Sequence, residues 1–243
     1  MIKKPKEVIT LQQTLKITNV LSDPTRYSIY EYITKNHKNV TVQEIADTFS
    51  IHPNVARLHL SKLEDVNMLK SENRKTGKGG RPSRIYQLSD DVIELNFPFR
   101  DYHLLAKIAI ESMVQLGEIA EPALYETGRR FGYELMENQI TKYGLTSDQL
   151  TFDQKVEIFK STCTMLGFYP DLYIQEGQKK LHLQVFNCPF REIAKEHKST
   201  TCNMHIAFIK GLLESLFDDF ELVATQNMFE GCDACAYRIN IPN

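Results

Sequence analysis

Apolar residues recur every three or four positions in the first part of the chain, a spacing that is typical of amphipathic helices. Asp23 and Pro24 are favourable N-cap and N1 residues, so a first helix ends before this pair and a second begins at it. Thr41-Val42-Gln43-Glu44 is a capping box that opens a third helix. Pro53 starts a fourth helix, and the pattern therefore predicts a helix-turn-helix.

The fourth predicted helix has two chemically different faces. Ala56, Leu60 and Leu63 lie at positions i, i+4 and i+7 and therefore share one buried face. The opposite face presents side chains that can reach base edges in a DNA major groove, where an arginine can bridge O6 and N7 of guanine. The predicted base-reading residues are Asn54, Arg57, Leu58 and Ser61, and Lys62 is also predicted to contact DNA.

A basic hairpin is predicted directly after these helices. Strands from Met68 and from Ser83 flank a glycine-rich turn. Because its cations can contact phosphate or enter the adjacent minor groove, we interpret the hairpin as the wing of a winged helix. The predicted wing contacts are Arg74, Lys75, Lys78, Arg81 and Arg84. The alternative is a solvated basic hairpin on a helical domain that binds protein.

A domain boundary is predicted near Asn96-Phe97-Pro98, where a new helical pattern begins. It separates a winged helix-turn-helix DNA-binding domain, residues 1–95, from a second domain, residues 96–243. The second domain is predicted to be α+β, with helices packed on a small antiparallel sheet. Its first helix, from about Asp101 to about Leu116, is strongly apolar and is predicted to form the seam of a homodimer.

Charge is unevenly distributed between these two parts. Residues 1–90 hold fifteen Lys and Arg against nine Asp and Glu, whereas residues 91–243 hold fourteen against twenty-two. The basic part is therefore the candidate for phosphate contact. No apolar run approaches the ~20 residues of a membrane span, and the N-terminus lacks the apolar segment of a signal peptide, so we expect a cytoplasmic protein. The sequence shows no P-loop, dinucleotide fingerprint or nucleophile–base set, and we predict no catalysis.

The chain has five cysteines, which in a reducing compartment favours thiols or metal ligands over disulfides. Cys188 follows a predicted strand, at a loop where its sulfur can point into a cavity. Cys202 is predicted at the start of a helix, where the helix dipole lowers the pKa of a thiol. Cys232 and Cys235 share a turn and can converge on one metal. Cys163 lies in an apolar helix and is predicted to be a buried core residue.

Four thiolates from three segments suit either an iron–sulfur cluster or a tetrahedral zinc ion. The predicted metal ligands are Cys188, Cys202, Cys232 and Cys235. Because their spacing lacks the paired Cys-x-x-Cys knuckles that are common in structural zinc sites, it favours a cluster. His182, His197 and His205 are reserve ligands, but His182 alternates along a strand and His197 follows a charged run, so an ordinary surface residue is the better interpretation of each.

Two sets of residues resemble a known group of regulators. Residues 53–64 and the segment Gly79-Gly80-Arg81-Pro82-Ser83-Arg84 resemble the winged-helix regulators related to the ArsR class. Asn187-Cys188-Pro189, Cys202 and a late cysteine before Tyr237-Arg238-Ile239 are similar to the branch of iron–sulfur-sensing repressors of the Suf cluster-assembly operon. The resemblance implies a homodimeric repressor that binds a double-stranded DNA operator under the control of an iron–sulfur cluster.

Three functions remain open at the level of sequence. The leading hypothesis is a DNA-binding transcriptional regulator whose operator affinity depends on a cysteine-ligated iron–sulfur cluster. The second is a winged-helix regulator with a structural or sensory zinc site. The third is a redox protein that uses Cys232 and Cys235 as a dithiol pair, which the lack of a thioredoxin-like βαβ frame disfavours.

Overall fold

The computed structural model describes residues 11–36, 38–74, 83–93, 95, 97–98, 100–175 and 179–242. Contacts divide the chain into two compact units, of which the first ends at Arg100 and the second begins at Asp101. Each unit has its own apolar core. No helix within the described ranges is long and apolar enough to cross a membrane.

The first unit is a set of short helices with a small sheet. Its described elements are α1 (Leu11–Leu21), α2 (Pro24–Asn36), β1 (Val40–Thr41), α3 (Val42–Thr48), α4 (Pro53–Glu64), β2 (Leu69–Arg74) and β3 (Ser83–Leu88). The strands pair antiparallel in the order β1, β3, β2. Strand β1 was not expected from the sequence, because two residues are too few to show an alternating pattern.

Local side-chain chemistry sets the ends of these helices. Asp23 Oδ1 accepts a hydrogen bond from the backbone N–H of Arg26 at 3.0 Å, and Thr41 Oγ1 accepts one from the backbone N–H of Glu44 at 3.1 Å. Both N-caps are as predicted. Helix α4 begins at the predicted proline, and beyond its end Asn67 adopts the left-handed conformation, with a φ of 59°.

The second unit combines helices with one sheet. Its described helices and strands are α5 (Tyr102–Gln115), α6 (Ala120–Thr141), α7 (Phe152–Met165), β4 (Pro170–Gln175), β5 (Lys180–Val185), α8 (Arg191–Ala194), α9 (Lys198–Glu214), β6 (Glu221–Gln226) and β7 (Cys235–Asn240). The four strands form an antiparallel sheet in the order β4, β5, β7, β6. Residues from α6, α7 and α9 share its apolar core. This architecture confirms the predicted α+β class.

The pairing of β5 with β7 brings distant parts of the sequence together. Val185 lies opposite Cys235, and Leu183 lies opposite Tyr237. Cys188 lies three residues after Val185, in the loop that follows β5 at the end of the sheet where β7 begins. Two of the predicted metal ligands are therefore carried by neighbouring strand ends.

Helices α6 and α9 pack with their backbones in contact. A Cβ atom at Gly132 would lie 2.0 Å from the carbonyl oxygen of Phe208, and one at Gly211 would lie 1.9 Å from the carbonyl oxygen of Arg129. Both distances are far below van der Waals contact, so each position accepts only glycine at this separation. The close packing positions α9, the helix that carries Cys202.

Helix α5 is apolar but remains exposed within its unit. All of its residues are described and none of them is buried. Leu104, Leu105 and Ile108 are 51%, 61% and 54% exposed. A helix with this much apolar surface in water is typical of an interaction surface.

Candidate DNA interface and cysteine-lined cavity

The predicted base-reading residues lie on the solvent side of α4. Ala56, Leu60 and Leu63 are fully buried in the core of the first unit. Of the predicted set, Asn54, Arg57, Leu58 and Lys62 are exposed and Ser61 is partly buried. The geometry therefore gives α4 one packed face and one face that is open to a partner, as the sequence pattern predicted.

His59 is a buried residue of α4 that the sequence pattern did not single out. Its side chain lies within 3.9 Å of the carboxylate of Asp23, measured from Nδ1 to Oδ2. Burial lowers the pKa of His59, and this effect exceeds the opposite influence of Asp23. His59 thus contacts the N-terminal cap of α2, the helix on which α4 packs.

The predicted wing is only partly within the described residues. Arg74 is exposed at the end of β2. Arg84 donates from Nη2 to Glu64 Oε2 at 2.6 Å and from Nε to Ser71 Oγ at 2.8 Å. The bond to Glu64 raises the pKa of Arg84. The structure therefore ties Arg84 to the end of α4.

The remaining predicted wing contacts are Lys75, Lys78 and Arg81, and these lie outside the described residues.

The second unit contains a cavity of about 250 Å³ that is lined by cysteines. Cys188 from the loop after β5, Cys202 from α9 and Cys235 from the start of β7 all line it. His205, also on α9, completes this part of the wall, and its Nδ1 lies 3.7 Å from Cys188 Sγ. The structure thus brings together three of the four predicted ligands, which are up to 47 positions apart in the sequence.

Cys232 and Cys163 have different environments. Cys232 is partly buried in the turn after Gly231, and it is not among the described residues that line the cavity. Cys163 is fully buried in the core of the second unit, as predicted, and burial raises the pKa of its thiol.

Burial disfavours the thiolate form of the cavity cysteines. Burial raises the pKa of Cys188 to about 12 and also raises the pKa values of Cys202 and Cys235. The sequence predicted the opposite direction for Cys202. The reason is its position: Cys202 is the fifth residue of α9, beyond the first turn where a helix dipole acts most strongly, and desolvation prevails.

His205 is enclosed by aromatic rings. It is 4% exposed, and its ring meets the rings of Phe168 and Phe190 edge-on, with centroid distances of 5.0 and 5.1 Å. Burial lowers the pKa of His205 to about 4, so the imidazole is neutral at pH 7. Its Nε2 has no hydrogen-bond partner among the described residues. From the sequence, His205 was predicted only as a reserve ligand, because a single histidine on a helix does not form a recognisable metal-binding motif.

The separation of the sulfur atoms limits the kind of metal site they can form. Within the described ranges, the only group of three or more His, Cys, Asp or Glu with ligand atoms all within 4.8 Å of one another is Glu111, Glu196 and His197. There the ammonium of Lys107 already lies 2.6 Å from Glu196 Oε2. The sulfur atoms of Cys188, Cys202 and Cys235 are therefore not all within 4.8 Å of one another, whereas sulfurs around one zinc ion with Zn–S bonds of ~2.3 Å lie about 3.8 Å apart.

Comparison with known proteins supports the assignment of the first unit. The family described as "Helix-turn-helix domain" matches residues 21–72, which include α2, α3 and α4. No curated protein sequence matches the chain.

Three solved structures show weak similarity. Subunit 3 of a trafficking protein particle complex from Naegleria fowleri, covalently bound to palmitic acid, has 18% identity and a TM-score of 0.43, covering 57% of this chain and 94% of its own. The phenol-responsive sensory domain of the transcription activator PoxR, with phenol, has 16% identity and a TM-score of 0.41, covering 75% and 88%. A homodimeric winged helix-turn-helix domain from Mycobacterium bovis, described as a possible ArsR-family transcriptional regulator, has 16% identity and a TM-score of 0.29, covering 36% and 75%.

These similarities are too weak to carry over what those proteins bind. The family match and the geometry of α3 and α4 agree on the first unit. Residues 21–72 are therefore a helix-turn-helix domain.

Proposed function

We propose that the protein is a DNA-binding transcriptional repressor whose operator affinity is controlled by an iron–sulfur cluster held in the cavity of the second unit. The observation that carries the proposal is the convergence of Cys188, Cys202 and Cys235 on one cavity, in a chain that also carries a helix-turn-helix domain. A cluster supplies redox and iron chemistry that thiols alone lack.

The DNA-binding part of the proposal rests on α4. Its open face carries Arg57 and Asn54, which offer the donor patterns that read guanine and adenine in a major groove. The packed face holds the helix rigidly, and Arg84 ties the strand after the wing to the end of α4 through Glu64. This ion pair links the recognition helix to the described strand β3.

One recognition helix covers only half of a typical operator, and dimeric readers place two such helices about 34 Å apart. We propose that a second copy of the chain covers the exposed apolar face of α5. This face includes Leu105 and Ile108, both more than half exposed in the isolated chain. Burying such residues between two copies is worth roughly 25 cal/mol per Å².

The chemistry and spacing of the cavity favour a cluster over a single zinc ion. All three cavity cysteines supply soft sulfur ligands, which suit iron–sulfur clusters as well as zinc. No three of the described cavity ligands have their ligand atoms within 4.8 Å of one another, whereas one ion would need them closer together. A multinuclear group spans a wider set of sulfurs. The raised pKa values mean that binding must release thiol protons, so uptake should strengthen as pH rises.

The dithiol alternative is weakened by the same geometry. Cys235 is buried, and its Sγ accepts a hydrogen bond of 3.5 Å from the backbone N–H of Met228. Burial raises its pKa, which lowers the thiolate fraction that thiol–disulfide exchange needs.

The segment that joins two of the cavity cysteines contacts the proposed dimer helix. On this segment, between Cys188 and Cys202, Glu196 forms an ion pair with Lys107 of α5, with 2.6 Å between Glu196 Oε2 and Lys107 Nζ. A group that is bound by both cysteines would therefore constrain the two ends of the segment that contacts α5. Operator affinity changes only if the cluster favours one of two arrangements of the dimer.

The test is to purify the protein without oxygen and to measure visible absorption, iron, acid-labile sulfide and zinc. We expect broad visible absorption and iron with sulfide. Cys188→Ser, Cys202→Ser and Cys235→Ser should each lose most of the iron, because a hydroxyl replaces thiolate poorly. The matched control is Cys163→Ser, a buried cysteine outside the cavity, which should keep the metal. Zinc without iron would refute the cluster, and full iron in all four variants would refute its attachment to the cavity cysteines.

Control of DNA binding needs a separate measurement. An operator can be selected in vitro from random duplexes and then titrated with cluster-loaded and cluster-free protein. We expect the two forms to differ by a coupling of about 1–3 kcal/mol. Identical titrations would leave a DNA-binding protein with a purely structural cluster.

A further inference from the structure

We propose that His205, rather than Cys232, is the fourth protein ligand in the cysteine-lined cavity. The inference rests on the proposed function, since it concerns how the same cavity holds its cluster. Sequence spacing alone favours Cys232, because it lies only three positions before Cys235. The structure instead places His205 in the cavity wall, whereas Cys232 is not among the described residues that line the cavity.

The position of His205 on α9 brings it to the other ligands. Cys202 and His205 are separated by three positions, so their side chains lie on the same face of the helix. On the other side, His205 Nδ1 is 3.7 Å from Cys188 Sγ. His205 therefore lies beside two of the three cavity cysteines.

The two ring nitrogens of His205 have different surroundings. Nδ1 faces the sulfur of Cys188, whereas Nε2 is buried without a hydrogen-bond partner among the described residues. A buried polar nitrogen without a partner is costly and needs an explanation. Coordination of a metal by Nε2 would supply the missing partner. Nδ1–H would then donate to the Cys188 thiolate, in the way that a second contact commonly fixes the tautomer of a ligating histidine.

The ring is also held in place before any metal arrives. Phe168 and Phe190 meet it edge-on from two sides, at centroid distances of 5.0 and 5.1 Å. A side chain fixed in this way loses little conformational freedom on binding a metal. Cys232 lies on a turn after Gly231, whose φ of 89° is one that residues other than glycine rarely adopt.

Replacement of one thiolate by neutral imidazole has a chemical consequence. The site would carry one negative charge fewer than a site with four thiolates. Histidine ligation raises the reduction potential of an iron–sulfur cluster relative to all-cysteine ligation. The cluster of this protein would therefore be reduced more readily than an all-cysteine cluster of the same type.

The experiment compares three variants with the wild type, all purified without oxygen and loaded with iron and sulfide. His205→Ala should lose most of the iron, whereas Cys232→Ser should keep the wild-type iron content and absorption. His205→Cys restores a thiolate at the same place and should keep a cluster, with a lower reduction potential. Far-UV circular dichroism of the metal-free proteins checks that each variant folds.

Pulsed electron paramagnetic resonance of the reduced wild-type protein tests the ligand without a mutation. We expect a hyperfine coupling to a directly bound nitrogen, which changes when histidine carries the heavy nitrogen isotope and disappears in His205→Cys. A wild-type cluster without this coupling, or loss of iron from Cys232→Ser but not from His205→Ala, would overturn the assignment and leave the proposed function intact. A wild-type protein that takes up no iron would overturn both.

Discussion

Gly211→Ala should strongly destabilise the second unit, because the added methyl group has no room between α6 and α9. The new Cβ would lie 1.9 Å from the carbonyl oxygen of Arg129 and 2.8 Å from the backbone nitrogen of Tyr133. Both obstacles are backbone atoms of a helix, so no side-chain rotation can relieve them. The two helices would have to move apart by roughly 1.5 Å to restore ordinary contact distances.

The magnitude follows from two opposing effects. Overpacking of a dense core costs about 1–3 kcal/mol and occasionally more, and a clash between two backbones belongs at the upper end. Against this, alanine has a better helix propensity than glycine by about 1 kcal/mol. We therefore expect a net loss of about 2 kcal/mol or more. Because α9 also carries Cys202 and His205, the same variant should bind less iron.

The assay is urea unfolding of the metal-free protein, followed by far-UV circular dichroism. Lys210→Ala is the matched control, since it changes the neighbouring position of the same helix outside the glycine contact and should shift stability by less than about 0.5 kcal/mol. If Gly211→Ala is as stable as the wild type, or gains the ~1 kcal/mol that propensity offers, α6 and α9 do not touch through their backbones.

Three further predictions concern the first unit and the dimer. Arg57→Ala should weaken binding to the selected operator by about 1–3 kcal/mol and have little effect on binding to random DNA. Lys78→Ala should instead weaken binding to both DNAs and reduce the slope of the salt dependence by about one. Equal losses of Arg57→Ala on both DNAs would make Arg57 a phosphate contact. Leu105→Glu in α5 should convert a dimer into a monomer in light scattering, and a wild-type monomer at micromolar concentration would contradict the seam. The pKa of His59 is lowered in the fold, so unfolding binds a proton and stability falls as pH drops below about 6.5. His59→Gln should flatten this loss in urea titrations at several pH values, and an unchanged slope would show that His59 is not its cause.

The close packing of α6 on α9 is a feature of the second unit that the sequence pattern did not predict. The apolar period predicts helices in the second domain, and α6 and α9 are two of the helices that form there. A glycine inside a helical pattern does not indicate which residue it packs against. The contacts of Gly132 with Phe208 and of Gly211 with Arg129 could therefore not be predicted. The signal that was available is the pair of glycines at Gly128 and Gly132, one helical turn apart.

The sequence by itself determined the features that depend on neighbouring residues. The caps at Asp23 and Thr41 and the start of α4 follow from hydrogen bonds and torsion preferences within a few positions. The buried and open faces of α4 follow from its helical period, which is why the base-reading face was predictable. These local rules also sufficed for the α+β class, since alternation and helical period identify strands and helices separately.

Only the tertiary structure decided which of the distant residues meet. The antiparallel pairing of β5 with β7 brings Cys235 beside the segment that carries Cys188, and α9 adds Cys202 and His205. Strand pairing and helix packing depend on contacts that are far apart in the chain, which no local pattern encodes. Burial likewise reversed the predicted pKa shift of Cys202, because desolvation depends on everything packed around a thiol and not on its place in a helix alone.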